Sequence, residues 1–405
     1  MKTRIAQTKD GNKAIRLMRD EQVEVGIDVH KRTFSVTLWS EQRQSVVSCW
    51  TQPADAAALI RSLTPCRQNV GRVVYEAGPT GYGLVRALRE AQFRADVIAP
   101  SRTPKSTGQE AKSDRLDSRK LALWSAKNLL RPVRVPTVEE EGDRQVFRTR
   151  DDAVAKRRRI KQQIKSFLLQ HGIPEPEGLA AWSRRGIAAL RKIPLSAQLR
   201  FSLDFLLDDL DHYNAQVKKA DAALKSLAAT DRHQQAAEAL QTVEGVGPVT
   251  AMAVRTELIA PERFNDGREV AAMAGLAPLV SRTGETTRQG PLMKCGNARL
   301  RKTLIEAAWR WVAKDAWAGA LYRQLVRNTG DKKKAITAVA RRLLIILWRM
   351  SVTGQPYQPR SVEEAPSHPR SAKKGGQPGL PDKKTGRKRA PSTSRKRPVS
   401  VQPPR

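Results

Sequence analysis

The chain has 405 residues, which is enough for two or three domains that each bury a hydrophobic core. Its 74 Lys and Arg residues outnumber its 40 Asp and Glu residues, and the formal net charge of +34 indicates a polyanionic partner, for which nucleic acid is the simplest candidate. The longest apolar run, Leu343 to Trp348, is too short to span a bilayer, and the first residues lack an apolar signal-peptide core, so we expect neither a membrane protein nor a secreted one.

Residues 1–20 are polar and basic and predict a flexible leader. Residues 21–132 then alternate β-branched runs with helical segments. The predicted strands are Val23–Val29, Thr33–Leu38, Ser45–Trp50, Arg72–Tyr75 and Arg94–Ile98, and the predicted helices are Asp55–Leu63, Gly81–Ala91 and Ser113–Leu130. Three strands joined by polar turns, followed by strand–helix units, predict a mixed sheet covered by helices. This is the element order of the ribonuclease H-like fold, so we expect an α/β N-terminal domain of that class.

Residues 138–230 predict a helical, coiled-coil-like region. Val138–Gln170 and about 184–229 both carry apolar residues at helical spacing, which predicts an antiparallel helix pair. The first helix is very basic around Lys156 to Lys161, and it could serve as a plain spacer or as a nucleic-acid or dimer contact. A third, mainly helical unit follows at residues 235–354. Residues 355–405 are rich in Pro, Ser, Gly, Lys and Arg and predict a disordered basic tail.

Two acidic residues end predicted strands of the first domain. Asp28 lies in Gly26-Ile27-Asp28-Val29-His30-Lys31, and Glu76 lies in Val73-Val74-Tyr75-Glu76-Ala77-Gly78. A carboxylate at the end of a buried strand is costly without a partner. In the expected fold the first and fourth strands are neighbours, so the two side chains should converge.

Asp114 and Asp117 are three residues apart at the start of a predicted helix, which puts both on one helical face. Each could simply be an acid favoured by the helix dipole, and Asp28 could be an ordinary turn residue. Four carboxylates brought together would repel each other unless cations neutralised them, and hard oxygen ligands favour Mg²⁺ or Mn²⁺. Two such ions can activate one oxygen and stabilise another at phosphorus.

In the third unit, residues 243–251 predict a helix-hairpin-helix turn. Gly245 and Gly247 would let backbone amides approach a phosphate of DNA. Glycine pairs of this kind are common in turns, so this pattern alone is weakly specific.

The acidic motifs and the third unit together resemble one known family, the IS-110 and IS-1111 insertion-sequence transposases. The resemblance rests on Gly26 to Lys31, Tyr75 to Tyr82, Lys112 to Asp117, Gly275 to Pro278, Ser281 to Gly284 and Lys294 to Arg301, and it extends over residues 23–354. It implies a DEDD domain similar to the Holliday-junction resolvase RuvC, a coiled-coil link and a C-terminal transposase domain. Asp28, Glu76, Asp114 and Asp117 match the DEDD pattern position by position.

The resemblance also implies a serine nucleophile that forms a covalent link to DNA, and here this chain departs from the family. Thr283 occupies the matching position, and Ser281 lies two residues earlier. A threonine hydroxyl is a competent but more crowded nucleophile. Thr283 acts in this role, or Ser281 replaces it, or this copy is impaired; we favour Thr283.

Polar and basic residues around these hydroxyls are candidates for DNA binding, because guanidinium groups suit phosphate contacts. The candidates are Arg282, Arg288, Lys294, Asn297, Arg299 and Arg301. Some of the basic residues could equally be solvated helix residues.

The expected function is therefore that of a DNA transposase or recombinase which cleaves and rejoins strands at an insertion element. The resemblance implies a structured guide RNA, and a site shared between domains predicts a homodimer or homotetramer. The isolated thiols of Cys49, Cys66 and Cys295 favour a reducing, cytoplasmic location in a bacterium, associated with the nucleoid. Two alternatives remain: a junction-resolving nuclease that uses water, and a non-catalytic nucleic-acid-binding protein.

Overall fold

The structure is a computed structural model that describes residues 2–5, 15–100, 103–104, 114–283, 286–293, 295–359 and 361, and side chains are described at 17–100, 103–104, 117–279, 290–293, 295–359 and 361. Among these residues, the N-terminal part shows eight strands and three helices, connected in part by a short 3₁₀ helix at Thr64–Asn69. In chain order they are β1 Lys2–Ile5, β2 Ile15–Met18, β3 Val23–Val29, β4 Thr33–Ser40, β5 Ser45–Pro53, α1 Ala56–Leu63, β6 Val70–Glu76, α2 Gly83–Glu90, β7 Ala95–Ile98, α3 Asp114–Ala126 and β8 Pro132–Val133.

Six of these strands form one mixed sheet, in the spatial order β5-β4-β3-β6-β7-β8. Strands β3, β4 and β5 are antiparallel neighbours, β6 and β7 run parallel to β3, and β8 is antiparallel to β7. The α/β character and the strand order expected for this region are therefore present, with a central sheet. Helices α1 and α2 cover one face of the sheet, where Val25, Ile27 and Tyr75 are fully buried.

The segment expected to be a flexible leader contains a strand pair. Ile15–Met18 pairs with Lys2–Ile5, and Leu17 is completely buried in the N-terminal core. The polar composition of residues 1–20 conceals this core residue, which explains the difference from the sequence expectation.

The rest of the chain is mostly helical. It contains α4 Val138–Gln170, α5 Arg184–Lys192, α6 Ala197–Ala228, α7 Gln234–Gln241, α8 Pro248–Leu258, α9 Gly267–Met273, β9 Pro278–Thr283, β10 Thr286–Leu292, α10 Ala298–Lys314, α11 Ala316–Thr329 and α12 Lys332–Thr353, with a 3₁₀ turn at Pro261–Arg263. Within the described part of the chain, no helix combines the length and the apolar run that a bilayer crossing needs.

Helices α4 and α6 form the long pair that the sequence predicted. Ile160 and Ile164 of α4 pack with Leu203 and Leu207 of α6, and all four are buried. The expected second helix, 184–229, is instead two helices, α5 and α6. Pro194 interrupts it, since proline disfavours helical geometry in the preceding residue, and the Ser196 side chain then caps α6.

Helices α7 to α12 enclose a second large core. Its fully buried centre includes Trp311 and Leu343. The chain beyond α12 returns to this core: the Tyr357 hydroxyl donates to Asp315 Oδ2 at 3.0 Å, and the Tyr357 amide donates to Thr242 Oγ1 at 2.8 Å. Tyr357, which the sequence assigned to the basic tail, therefore packs against the folded unit.

Candidate active site

Helix α3 lies on one face of the central sheet, directly over β3. In a strand, alternate residues share a face, so Glu24, Gly26 and Asp28 point the same way. The Ser125 hydroxyl of α3 donates to Glu24 Oε2 at 2.5 Å. A Cβ atom added at Gly26 would come within 2.1 Å of the Ser118 carbonyl oxygen, so glycine is what allows this close packing.

The same contacts fix where α3 begins. Glu24 of β3 faces Ser125 of α3, and Gly26, two residues later in the strand, faces Ala122 and Ser118. Helix α3 therefore runs antiparallel to β3. One further step of two strand residues, about 6.7 Å, corresponds to roughly one more helical turn of 5.4 Å. The first turn of α3 therefore lies over Asp28. A buried hydrogen bond of 2.8 Å between the Thr37 and Ser118 hydroxyls holds α3 to β4 as well.

Glu76 belongs to the same face of the sheet. Strand β6 is parallel to β3, with Gly26 beside Val74 and Ile27 beside Tyr75. Val74 packs against Leu121 of α3, so Glu76, two residues further on, projects to the side that α3 covers. The Thr103 hydroxyl donates to Glu76 Oε1 at 2.8 Å and orients that carboxylate.

Asp28 and Glu76 thus end adjacent parallel strands on one face, beside the start of α3. Asp28 Oδ2 lies 3.1 Å from His30 Nε2. Asp117 is half-buried in the first turn of α3, whereas Asp114 begins the helix with a side chain outside the described set. Among the described residues, no three His, Cys, Asp or Glu side chains already form a metal cluster.

The residues present nevertheless fit a divalent cation. The described groups at this edge are the Asp28 and Glu76 carboxylates and the Thr103 hydroxyl, with the His30 imidazole beside Asp28. The oxygens among them are the ligands that Mg²⁺ and Mn²⁺ prefer. Glu24 on the same strand differs from them. Burial raises the pKa of Glu24, an effect that its hydrogen bond with Ser125 partly offsets. Glu24 is therefore a half-buried contact to α3 rather than part of the acidic edge, by which we mean Asp28 and Glu76 together with the start of α3.

The predicted helix-hairpin-helix turn connects α7 to α8. Gly245 has a φ of +83°, and an added Cβ would come within 2.7 Å of the Trp311 backbone nitrogen. Gly247 precedes α8, and an added Cβ there would meet no atom within 4 Å. Gly245 therefore has a packing role against α10, and Gly247 lies in open space, where a phosphate could approach.

The two candidate hydroxyls lie in the hairpin of β9 and β10. The register pairs Thr283 with Thr286 at the end of the hairpin and Ser281 with Arg288 below it. Arg282 pairs with Thr287. The side chains of these residues, and the whole of Lys294, lie outside the described set.

The base of this hairpin is tightly packed. Gly275 and Gly296 both have positive φ, at +67° and +101°, and a Cβ on Gly296 would come within 2.5 Å of the Gly275 nitrogen. The Met293 amide donates to the Ala277 carbonyl at 3.0 Å. The two glycine motifs of the sequence thus meet where the hairpin leaves the helical core.

Three predicted DNA-binding residues take part in contacts within the chain. Asn297 caps α10, accepting from the Leu300 amide at 3.1 Å. Arg299 bonds to Asp151 at 2.9 Å and to Asp152 at 2.7 Å. Arg301 donates to the carbonyl oxygens of Ala274 and Gly275 at 3.4 and 3.3 Å. Their role in DNA binding stays a prediction, and these contacts give each of them a structural role.

Sequence reasoning missed the acceptor that lies behind Asn297. Glu257 of α8 is 2% exposed and takes hydrogen bonds from both Arg148 and Asn297. The sequence signal for this role is weak: Glu257 follows the apolar run Ala251 to Val254 but stands next to the polar residues Arg255 and Thr256, so nothing local marks it as a buried acid that requires partners.

Comparisons with known proteins agree with this architecture. Residues 25–173 match a family model of DEDD transposases related to IS110, and residues 237–323 match the model described as "Transposase IS116/IS110/IS902 family". The first match spans the central sheet, α3 and α4, and the second spans most of the helical unit that contains the hairpin.

Individual relatives extend over most of the chain. A putative transposase of Sinorhizobium fredii, y4qE, is 29% identical over 358 residues, which is 81% of this chain and 88% of the relative. A second one, y4rJ, is 31% identical over 304 residues, or 68% of this chain and 76% of the relative. The transposase for insertion sequence element IS1111A of Coxiella burnetii is 23% identical over 348 residues, or 85% and 93%. The chain therefore belongs to the IS116/IS110/IS902 family of transposases and is an enzyme with an N-terminal DEDD domain that cuts and rejoins DNA.

Proposed function

We propose that this transposase cleaves DNA at the ends of an insertion element through a covalent protein–DNA intermediate, with the acidic edge and the hairpin hydroxyl acting on the same strand. The observation that carries the proposal is the convergence of Asp28 and Glu76 on the face covered by α3. This arrangement supports a ribonuclease H-like assignment of the N-terminal domain, and the α7–α8 turn supports a helix-hairpin-helix assignment in the third unit.

A DEDD domain implies dependence on a divalent metal ion. We assign Asp28, Glu76, Asp114 and Asp117 as the residues that would hold it, and we propose Mg²⁺ or Mn²⁺ because all four are hard oxygen donors. A divalent ion bound there would neutralise the carboxylates and stabilise charge on the phosphate oxygens. Thr103 and His30 would keep the carboxylates of Glu76 and Asp28 oriented.

The nucleophile in this proposal is the hydroxyl of Thr283, with Ser281 as the second candidate. Its oxygen bonds to phosphorus while the bond from phosphorus to a deoxyribose oxygen breaks. The hydroxyl loses its proton, and the departing sugar oxygen takes one up. Attack by a sugar hydroxyl of the joining strand reverses these steps and releases the protein.

DNA contacts would come from Arg282, Arg288, Lys294 and the open backbone at Gly247. The net charge of +34 also allows a structured guide RNA to bind. We propose a homodimer or homotetramer, because a strand held by the acidic edge of one subunit could then meet the hairpin of another.

Mapping the covalent adduct tests the proposal. The purified protein is incubated with Mg²⁺, DNA that carries the element ends and a transcript of the adjacent non-coding segment, then denatured and digested for mass spectrometry. We expect an adduct at Thr283 that Thr283→Ala removes and Ser281→Ala leaves in place. The reverse pattern would assign Ser281. Metal-dependent cleavage without any adduct would instead identify a nuclease that uses water, and no cleavage would indicate a DNA-binding protein alone.

Mixing two inactive variants tests the shared site. If the acidic edge and hairpin of different subunits cooperate, Asp28→Asn mixed with Thr283→Ala should regain part of the activity that neither has alone. A mixture as inactive as its components would place both groups within one subunit.

A further inference from the structure

Glu257 is a buried carboxylate shared by two other helices. Its side chain is 1% exposed, and Arg148 of α4 donates to it twice, from Nε to Oε1 at 2.8 Å and from Nη2 to Oε2 at 2.9 Å. Asn297, at the start of α10, donates from Nδ2 to Oε2 at 2.7 Å. Three helices are thus joined through one carboxylate, with donor directions set by the planar guanidinium and amide groups.

Asn297 carries this link to the base of the β9–β10 hairpin. Its backbone amide donates to the Met273 carbonyl at 2.7 Å, and its Oδ1 caps α10. The preceding residue, Gly296, packs against Gly275 just before β9 begins. A displacement of Asn297 would therefore shift both ends of the hairpin.

Arg148 carries the link in the other direction, toward the N-terminal domain. It lies seven residues after Glu141, which places the two on the same side of α4. Glu141 accepts a hydrogen bond from Arg86 of α2, and Arg86 also donates to the Pro136 carbonyl at 2.7 Å. This side of α4 therefore contacts the DEDD domain through Glu141, and through Arg148 it contacts Glu257, which bonds to Asn297 at the base of the hairpin.

Stability alone accounts poorly for such an arrangement. The Glu257 carboxylate is buried, while the Arg148 side chain is 35% exposed. Burying a carboxylate costs desolvation, which offsets much of the attraction between the two charges. The Arg148–Glu257 pair and Asn297 instead fix relative positions. The carboxylate accepts three hydrogen bonds, and their geometry orients α4, α8 and the start of α10 relative to one another.

We propose that Arg148, Glu257 and Asn297 form a positioning relay that holds the β9–β10 hairpin in a fixed orientation relative to α4 and the DEDD domain. The proposal rests on the proposed function in one respect, since it assumes that the hairpin supplies the attacking hydroxyl. The three residues act through the hairpin and are positioning residues.

Exchanging the polarity of one hydrogen bond tests the relay. Asn297→Asp keeps the oxygen that caps α10 but sets a second carboxylate against Glu257. Glu257→Gln removes one acceptor. In the double variant, the nitrogen of the new glutamine amide can donate to the new aspartate, while the amide oxygen keeps the hydrogen bond from Arg148 Nε. The bond between residues 257 and 297 is restored with donor and acceptor reversed, whereas the bond from Arg148 Nη2, which shares Oε2 with Asn297, is lost.

Two readouts are measured on the full-length protein. One is hydrogen–deuterium exchange of residues 278–292, and the other is the rate of adduct formation on saturating DNA. Each single variant should exchange faster in the hairpin and form adduct more slowly by on the order of 10- to 100-fold, the loss expected from a misplaced reacting group. The double variant should recover part of both, because the bond between residues 257 and 297 re-forms while one bond from Arg148 does not.

Arg148→Met is compared with Arg150→Met as a matched control, because Arg150 also lies on α4 and bonds to an acid, Asp221 of α6, at 2.7 Å. Only Arg148→Met should loosen the hairpin. A double variant as impaired as the singles, or an equal effect of Arg150→Met, would overturn the relay. If the wild type forms no adduct, the proposed function fails, while hydrogen exchange still decides whether the hairpin is held in this way.

Discussion

Three residues on one face of β3 have different roles because their neighbours differ. Glu24 contacts Ser125, Gly26 contacts the α3 backbone, and Asp28 reaches the open edge beside Glu76. An acidic residue therefore serves packing at position 24 and the acidic edge at position 28. At position 24, burial also raises the pKa of the carboxyl.

The raised pKa of Glu24 predicts how stability depends on pH. Below the ordinary value of 4.5, Glu24 is protonated in both the folded and the unfolded chain. As the pH rises above that value, the unfolded chain releases the proton first, so Glu24 makes the folded chain less stable until the pH passes its raised pKa. Glu24→Gln releases no proton, and its Oε1 can still accept from Ser125.

The free energy of unfolding of Glu24→Gln minus that of the wild type should therefore grow with pH through this window and then level off. Denaturant unfolding at a series of pH values measures it. A difference that stays flat, or that falls with rising pH, would show that burial does not control this carboxyl.

Single residues also show what a local sequence pattern can and cannot indicate. Asp28 and Glu76 stand out as candidates because an acid at the end of a β-branched run is visible within a few residues. Glu257 and Asn297 are 40 residues apart, and Thr37 and Ser118 are 81 apart. Such pairs follow from tertiary packing, which a local pattern does not encode.

At the scale of elements, the contact between α3 and β3 determines where Asp114 and Asp117 are placed. Gly26→Ala would bring a methyl group to 2.1 Å from the Ser118 carbonyl and 2.5 Å from the Ala122 nitrogen. The helix must then move away from the sheet. We expect a loss of about 1–3 kcal/mol in the free energy of unfolding, typical of overpacking, together with slower DNA cleavage.

Gly83→Ala is the matched control, because Gly83 begins α2 and an added Cβ there would meet no atom within 4 Å. It should leave stability equal or slightly higher, and cleavage unchanged. Denaturant unfolding curves measure the stability of both variants, and a DNA cleavage assay measures their activity. Equal behaviour of the two variants would mean that α3 does not pack closely on β3 at Gly26.

Element boundaries were predicted well where periodicity was strong, as in α4, whose observed bounds are those expected from the sequence. The α5–α6 break was missed because the apolar spacing continues across Pro194. The β1–β2 pair was missed because composition dominated the interpretation of residues 1–20. The missed boundaries depend on single residues, such as Pro194, whose effect is lost when a pattern is averaged over many residues.

At the scale of the whole molecule, charge governs the affinity for nucleic acid. Residues 362–405 contain twelve Lys and Arg residues against three Asp and Glu residues. A variant that ends at residue 361 should bind DNA more weakly at physiological salt. The slope of log affinity against log salt should become shallower by about 0.9 for each phosphate that the tail no longer neutralises.

Fluorescence anisotropy of a labelled duplex over a range of salt concentrations measures this slope. A control in which the basic residues of 362–405 are replaced by Gln keeps the length and should behave like the truncation. An unchanged slope in both would mean that the folded units alone bind the phosphates.

The central claim is that the acidic edge and the hairpin hydroxyl act on the same DNA strand. The most direct test is the yield of covalent protein–DNA adduct in wild type, Asp28→Asn and Glu24→Gln, each with and without a chelator. The account predicts adduct in the wild type and in Glu24→Gln, and its loss in Asp28→Asn and on chelation. Full adduct yield in Asp28→Asn, or in the presence of the chelator, would contradict it.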